Sequence, residues 1–254
     1  MHAWGRISSL RGALERVAVF IVLAVLWEWA VDIFAIKPYL LPALSSVLRS
    51  FWQNRIMLLD QALVTGREIV LGYAAAAIGG VLIVLAIFIW PVAYRMFYPV
   101  LVVFQGLPKI ALAPLMIVWV GYGISSKVLM AFLFAFFPVM ISTFGGLLGT
   151  PEHLVEHFRA IRASPWTMFR RLQLPAALPS IMDGCKTAMP LAVIGAIVGE
   201  FVGSQRGLGY LILESNAQAR TDLLFAALVA ISLLAGLLYW IVELLASRVW
   251  WRAL

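Results

Sequence analysis

Apolar runs of about twenty residues, separated by proline or polar breaks, organise the chain from Val17 to Val242. The first run, Val17 to about Ile36, follows Arg6, Arg11 and Arg16. That start resembles a secretion signal. No clean small-residue cleavage site follows it, so the run reads as an uncleaved span. Pro38 and Pro42 break the chain, and Ala43 to Asp60 reads as a short surface helix. Leu44, Val47, Leu48, Phe51 and Trp52 form one side of it, with Ser45 as its cap. A second span is expected over Thr65–Trp90, ended by Pro91. Gly66, Gly72, Gly79 and Gly80 give it smooth surfaces for close packing.

The third span, about Tyr98–Val120, is interrupted by Gly106, Pro108, Lys109 and Pro114. The fourth, about Lys127–Leu148, contains Pro138. The fifth follows Pro175 and ends near Phe201. The sixth, about Leu223–Val242, carries no charge and is long enough to cross the hydrocarbon. The pattern therefore predicts an all-α polytopic membrane protein with six transmembrane helices. Residues 1–16 form an N-terminal segment, 17–246 the membrane domain and 247–254 a short tail, with a surface loop at 151–173 inside the domain.

Composition fits this reading. Of 254 residues, 63% are hydrophobic and 12% charged, and mean hydropathy is +0.98. A soluble domain carries about 25% charged residues. The net charge of +7 is spread along the chain rather than gathered in a nucleic-acid-binding stripe. Membrane topology accounts for it better. Six spans put both termini on one side. Placing them in the cytoplasm sets Arg6, Arg11, Arg16, Arg95, Arg159, Arg162, Arg170, Arg171, Arg248 and Arg252 inside. Lys37, Arg49, Arg55, Arg67, Lys127, Arg206 and Arg220 then lie outside or at the outer edge, diluted by Asp60, Glu68, Glu214 and Asp222. The bias favours cytoplasmic termini. The single cysteine, Cys185, excludes an intrachain disulfide. His2, His153 and His157 lie in terminus and loop, which excludes a zinc site deep in the membrane. No nucleophile–base spacing suggests an enzyme.

The loop between spans four and five departs from the apolar pattern. Thr150-Pro151-Glu152 reads as a helix start, with Thr150 as cap. Leu154, Val155, Phe158 and Ile161 then share one face, and Glu156, His157, Arg159 and Arg162 the other. Ser164-Pro165 breaks the helix, and a second short one follows to Leu172. Arg170 and Arg171 can reach lipid phosphates or an acidic partner. A surface helix of this kind either rests on lipid or docks a partner.

Here the chain resembles the permease subunits of bacterial ABC importers, in the nitrate/sulfonate/taurine branch of the binding-protein-dependent transport family. The loop motif of that family begins Glu-Ala-Ala, carries a glycine and closes Leu-Pro. The matching residues are Glu156-His157-Phe158, Arg162 and Leu174-Pro175, followed by Ala176-Ala177-Leu178-Pro179. Further matches are Leu107-Pro108-Lys109-Ile110-Ala111-Leu112-Ala113-Pro114-Leu115, leading to Trp119-Val120-Gly121-Tyr122-Gly123, and Gly199-Glu200-Phe201 with Gly207-Leu208-Gly209-Tyr210. The resemblance spans about residues 15–250. Arg162 stands where the motif has glycine, and His157 and Phe158 where it has alanines.

The resemblance implies that 151–173 is a cytoplasmic coupling helix seated on an ATPase. Its contacts are expected from Glu156, Arg159, Arg162, Ala163, Pro165, Trp166, Arg170, Leu174 and Pro175. No GxxxxGK[ST] loop occurs in this chain, so ATP and Mg would be bound by the partner ATPase, and this chain would hold no cofactor. The implied partners are an ATPase dimer, a second permease copy or close homologue, and a periplasmic or lipid-anchored substrate-binding protein, all at the bacterial inner membrane.

The implied cargo is a small anion such as a sulfonate, taurine or nitrate. A neutral heterocycle, such as a thiamine-precursor pyrimidine or a riboflavin-like compound, is the alternative. From another class, an ion-driven secondary transporter would need carboxylates near the midplane, and Glu28, Asp32 and Glu200 lie near the outer edge. Phe104, Lys109, Trp119, Tyr122 and Glu200 are the pathway candidates. Lys109 either attracts an anion or supports a bend, or it snorkels or pairs within the bundle. Glu200 either lines the outer mouth or anchors the loop that follows. Lys186 either snorkels or pairs with Asp183.

Overall fold

The computed structural model describes residues 18–19 and 21–248, with backbone alone at 91–95, 97 and 102. The segment 1–16, the tail beyond Arg248 and the side chain of Arg95 lie outside the described residues, and so does the start of the first expected span. Among the described residues, helix is the only regular structure. The first helix, α1, covers 21–33. It is followed by α2 (Leu44–Gln53), α3 (Arg55–Phe88), α4 (Pro91–Gln105), a 3₁₀ turn at Lys109–Leu112, α5 (Ala113–Val120) and α6 (Ile124–Leu148). Then come α7 (Glu152–Ala160), α8 (Pro165–Met168), a π turn at Phe169–Gln173, α9 (Leu174–Gly203), α10 (Leu208–Ala217) and α11 (Thr221–Arg248).

Four helical stretches are long and apolar enough to cross a membrane: Arg55–Phe88, Ile124–Leu148, Pro165–Gly203 and Thr221–Arg248. Tyr98–Gln105 with Lys109–Val120 makes a fifth if the pair is one span bent by 85°. The bend falls at Gly106 to Pro108, where proline removes a backbone donor and restricts the residue before it.

The chain forms two compact units. The first comprises the described residues up to Leu59 with Leu211–Ala230. Here Trp27 Nε1 donates to the Pro42 carbonyl at 3.2 Å, and its ring meets Phe225 at 5.9 Å. Thr221 Oγ1 donates to the Pro38 carbonyl at 2.8 Å. The expected cap of α2, Ser45, is not one. Ala43 occupies the cap position without a side-chain bond. The carboxylate comes instead from the preceding helix, since Ser45 N donates to Glu28 Oε2 at 3.1 Å. Glu28 thereby satisfies a first-turn amide that no local side chain reaches. The expected surface helix also stops earlier, at Gln53. Asn54 bonds back to Ser50, and Arg55 to Asp60 open the long α3.

The second unit comprises Asp60–Tyr210 and the described residues from Ile231. Its centre is an antiparallel pairing of α6 with α9, made close by small residues. A Cβ on Gly195 would lie 2.6 Å from the Met130 carbonyl oxygen, and one on Gly184 2.5 Å from Ser142 Cβ. Gly72 brings α3 equally close to Ala131. Ala113 and Met116 of α5 pack with Met130 and Phe134 of α6. Tyr73 Oη donates to the Cys185 carbonyl at 3.2 Å, tying α3 to α9. Lys186 lies 3.9 Å from Asp183 and 3.1 Å from Glu243, so its nearer ion pair crosses to α11.

Candidate functional site

Two ends of the second unit carry the polar chemistry. They lie at opposite ends of the α6–α9 pair, since Gly146 meets Ala177 at one and Gly199 meets Lys127 at the other.

The first is the surface segment after α6. Thr150 is not the cap expected from its position. Its hydroxyl donates back to the Leu147 carbonyl at 3.1 Å, and Pro151 holds the cap position of α7. Glu152 lies in the first turn of α7 and His157 and Arg159 in the last, each on the side the helix dipole favours. No residue of α7 is buried. The helix ends in a Schellman cap: Arg162 N donates to the Arg159 carbonyl at 2.9 Å and Ala163 N to the Phe158 carbonyl at 3.0 Å. Arg162 has φ +53°, the left-handed conformation glycine supplies at no steric cost.

Ser164 then caps α8, its Oγ accepting from Thr167 N at 3.2 Å. The helix continues without a break from Pro165 to Gly203, where separate short and spanning helices were expected. The π turn directly precedes Pro175, which has no N–H to return to the Arg171 carbonyl, so the helix widens rather than stops. Phe169 and Leu172 are buried, and Phe169 stacks between Trp166 (5.7 Å) and Phe88 (6.1 Å). This seats α8. Glu156, Arg159, Arg162, Pro165, Trp166 and Arg170 remain exposed, while Ala163, Leu174 and Pro175 are half-buried. A cavity of about 440 Å³ lies at the other end of the unit; one of about 580 Å³ opens here, between Phe88, Pro165, Trp166, Met168 and Gln173.

At the other end, the turn Gly203 to Tyr210 is held by three helices. Glu200, 1% exposed, accepts through Oε2 from Gly209 N and Tyr210 N and through Oε1 from Thr65 Oγ1 at 2.6 Å. Leu208 N donates to Thr65 Oγ1 at 2.8 Å, and Gly207 N to Gln61 Oε1. Gly207 has φ +110°, and a Cβ there would enter the Glu200 carboxylate. Lys127 Nζ donates to the Gly203 carbonyl at 2.6 Å. Arg206 pairs with Asp60 at 2.8 Å on the surface.

Lys127 and Glu68 are expected on the outer side or at the outer edge, each near the start of a span. Each is 3% exposed. Thr65, Gln61, Glu68 and Lys127 were not among the candidate site residues. Their available signal was a charge or hydroxyl standing in the first turns of an apolar helix.

The five pathway candidates have different surroundings. Glu200 is enclosed by its bonds to the turn. Tyr122 is exposed and lines the 440 Å³ cavity with Glu68, Lys127 and Arg206. Lys109 places its ammonium 5.0 Å from the Phe137 ring and 5.8 Å from Phe134. Among the described residues it has no carboxylate within ion-pair distance. Phe104 and Trp119 lie exposed at the surface.

Residues 69–251 match the family of binding-protein-dependent transport system inner membrane components. A probable ABC transporter permease of Haemophilus influenzae is 34% identical over 91% of this chain and 94% of its own. The formylaminopyrimidine transport permease ThiX of Halalkalibacterium halodurans is 37% identical over 87% and 89%. The taurine transport permease TauC of Escherichia coli is 25% identical over 85% and 82%. Among solved structures, an inward-facing form of the MetNI methionine ABC transporter superposes with a TM-score of 0.60 at 20% identity, covering 79% of this chain and 97% of that one. That last likeness is one of fold.

Proposed function

Because the chain belongs to the family of binding-protein-dependent transport system inner membrane components, the membrane permeases of ABC importers, we propose that it couples ATP hydrolysis on a separate subunit to solute entry through residues 152–172. The observation that carries this reading is the exposed α7 with its Schellman cap, joined to α8 and thence to a helix unbroken as far as Gly203. Leu154, Val155 and Phe158 are half-buried, while Glu152, Glu156, His157 and Arg159 are exposed, so the polar face of the helix is available to a partner. Glu156, Arg159 and Arg162 would make polar contacts on the ATPase, with Trp166 and Arg170 beside them. Ala163, Pro165, Leu174 and Pro175 shape the turn that presents them.

The unbroken helix gives the segment mechanical leverage. The thirty residues of α9 span about 45 Å, so displacement at Leu174 is transmitted to Glu200 and the turn it holds. ATP and Mg belong to the ATPase pair in this reading, and two permease copies enclose the pathway. Cytoplasmic termini put the surface segment inside and the Gly203–Tyr210 turn outside.

For the cargo, a small heterocycle of the aminopyrimidine kind has the better support. The formylaminopyrimidine permease is 37% identical over 87% of the chain and a riboflavin permease 34% over 92%, whereas an aliphatic sulfonate permease is 34% identical over 61% and the taurine permease 25% over 85%. Lys109, which would favour an anion, has its ammonium over two aromatic faces. The test is purification of the tagged chain in mild detergent from its native host. A stoichiometric ATP-hydrolysing partner is expected, with a binding protein whose melting temperature rises with an aminopyrimidine and not with taurine. An active permease purified without any ATPase would overturn the coupling reading, and a taurine-selective binding protein the cargo.

A further inference from the structure

From Ile69 to Phe88, α3 carries no charge, a run about 30 Å long that matches the thickness of the hydrocarbon layer. Arg67 and Glu68 are the last charges before it. Glu68 turns into the bundle and is 3% exposed, whereas Arg67 is exposed. Among the described residues, no carboxylate lies within ion-pair distance of Arg67. A guanidinium has donors and no acceptor, so at the rim of a bilayer the partner it lacks is an anion. The surface beside it is grooved. A cleft of about 390 Å³ runs between α3 and α11, lined by Leu63, Val70, Ile124, Leu234 and Leu238, with Arg67 as its one charged lining residue. Gly66 also lines it, and a Cβ there would only reach ordinary contact with Leu234 at 3.6 Å. Beyond the groove the same side of α3 stays exposed and aliphatic at Ile78 and Leu82, so the groove opens onto the membrane-facing surface of the span.

We propose that this groove seats one anionic phospholipid, with its phosphate on Arg67 and an acyl chain between α3 and α11, in the leaflet that holds the Gly203–Tyr210 turn. The two parts of the site match the two parts of that ligand. A groove this apolar gives a soluble ligand no directional contact, and its single cation selects a negative headgroup over a zwitterionic one. Arg67 lies at the end of the charge-free run, which is the level of the phosphates, so its side chain reaches them without crossing hydrocarbon. Thr65, two residues away and buried, holds Glu200 at 2.6 Å. The lipid therefore braces the segment of α3 that anchors the turn.

The test uses the full chain with its co-purifying partners, extracted in mild detergent, stripped of endogenous lipid and titrated with phosphatidylglycerol or phosphatidylcholine of the same acyl chains. The first-bound lipid is followed by native mass spectrometry, and the melting temperature in parallel. Wild type is expected to bind phosphatidylglycerol about fivefold more tightly than phosphatidylcholine, and to melt higher in its presence. Arg67→Gln should bring the two lipids to parity, while Arg67→Lys should keep the preference. Gly66→Leu, which fills the groove and leaves Arg67 in place, should weaken both lipids, and it carries the test alone if Arg67→Gln does not survive purification. Equal or absent binding of the two lipids by wild type, or an undiminished preference in Arg67→Gln, would overturn the proposal. So would glycerol phosphate binding as tightly as the phospholipid, since no acyl chain would then be needed. Disulfide formation between Leu63→Cys chains in native membranes would also overturn it, because a second copy would then cover the groove.

Discussion

The backbone N–H of Ala163 donates to the carbonyl of Phe158 at 3.0 Å, and Arg162, next to Ala163, holds the left-handed turn that makes the bond possible. A side chain in this conformation costs roughly 1–2 kcal/mol, which glycine avoids. Arg162→Gly is expected to stabilise the cap by about 1 kcal/mol after allowance for the greater freedom of glycine when unfolded. Amide exchange over 158–163 should slow about fivefold. ATPase coupling should be kept or improved. A large loss of stimulated hydrolysis would show that the guanidinium makes a contact of its own.

Removing the Glu200 carboxylate should free the turn it anchors. Glu200→Ala leaves Thr65 Oγ1, Gly209 N and Tyr210 N without their acceptor, at a cost of about 3 kcal/mol. A lower melting temperature in detergent and faster exchange at 207–210 are expected, while the surface segment 152–172 stays as protected as before. Unchanged exchange at Gly209 would contradict the anchoring role.

The approach of α9 to α6 at Gly195 leaves no space for a side chain. A Cβ there meets the Met130 carbonyl at 2.6 Å, a backbone atom that cannot swing aside. Gly195→Leu should abolish folded membrane insertion, scored by yield and by a monodisperse elution profile. Gly79→Leu, at a position open to its surroundings, is the matched control and should insert normally.

Lys109 lies at the 85° bend, over two aromatic rings of α6. If it supports the bend, Lys109→Met should lower stability by about 1 kcal/mol, the worth of a partly desolvated cation–π contact, and leave the KM for uptake within about twofold. A KM raised tenfold with an unchanged melting temperature would return Lys109 to the solute pathway.

Four of the six expected spans, and the third if its bent pair is one span, were legible because a bilayer demands long apolar helices, and prolines mark where they break. The surface segment was legible because its face of Glu156, Arg159 and Arg162 has no place in hydrocarbon. The turn-holding cluster was not. Thr65 and Glu200 are 135 residues apart, and no local pattern announces that they bond. The burial of Lys127 was not legible, because a lysine at the start of a span ordinarily faces water. Here its stem passes Gly199, which has no side chain to obstruct it. The capping of α2 by Glu28 escaped for the same reason, since its partner lies 17 residues away. The continuity of Pro165–Gly203 was hidden by Pro175, which reads as a helix boundary unless a π turn precedes it.

The most direct measurement of the central claim is site-specific cross-linking in native membranes. Arg162→Cys, on the exposed cap of α7, and Gln205→Cys, on the exposed turn at the opposite end, would each be treated with a short bifunctional thiol reagent and the products identified by mass. Cross-linking of position 162 to an ATP-hydrolysing chain, with no such product from position 205, is the predicted result. An ATPase captured only from position 205, or an uptake-competent permease that yields no ATPase product from position 162, would contradict it.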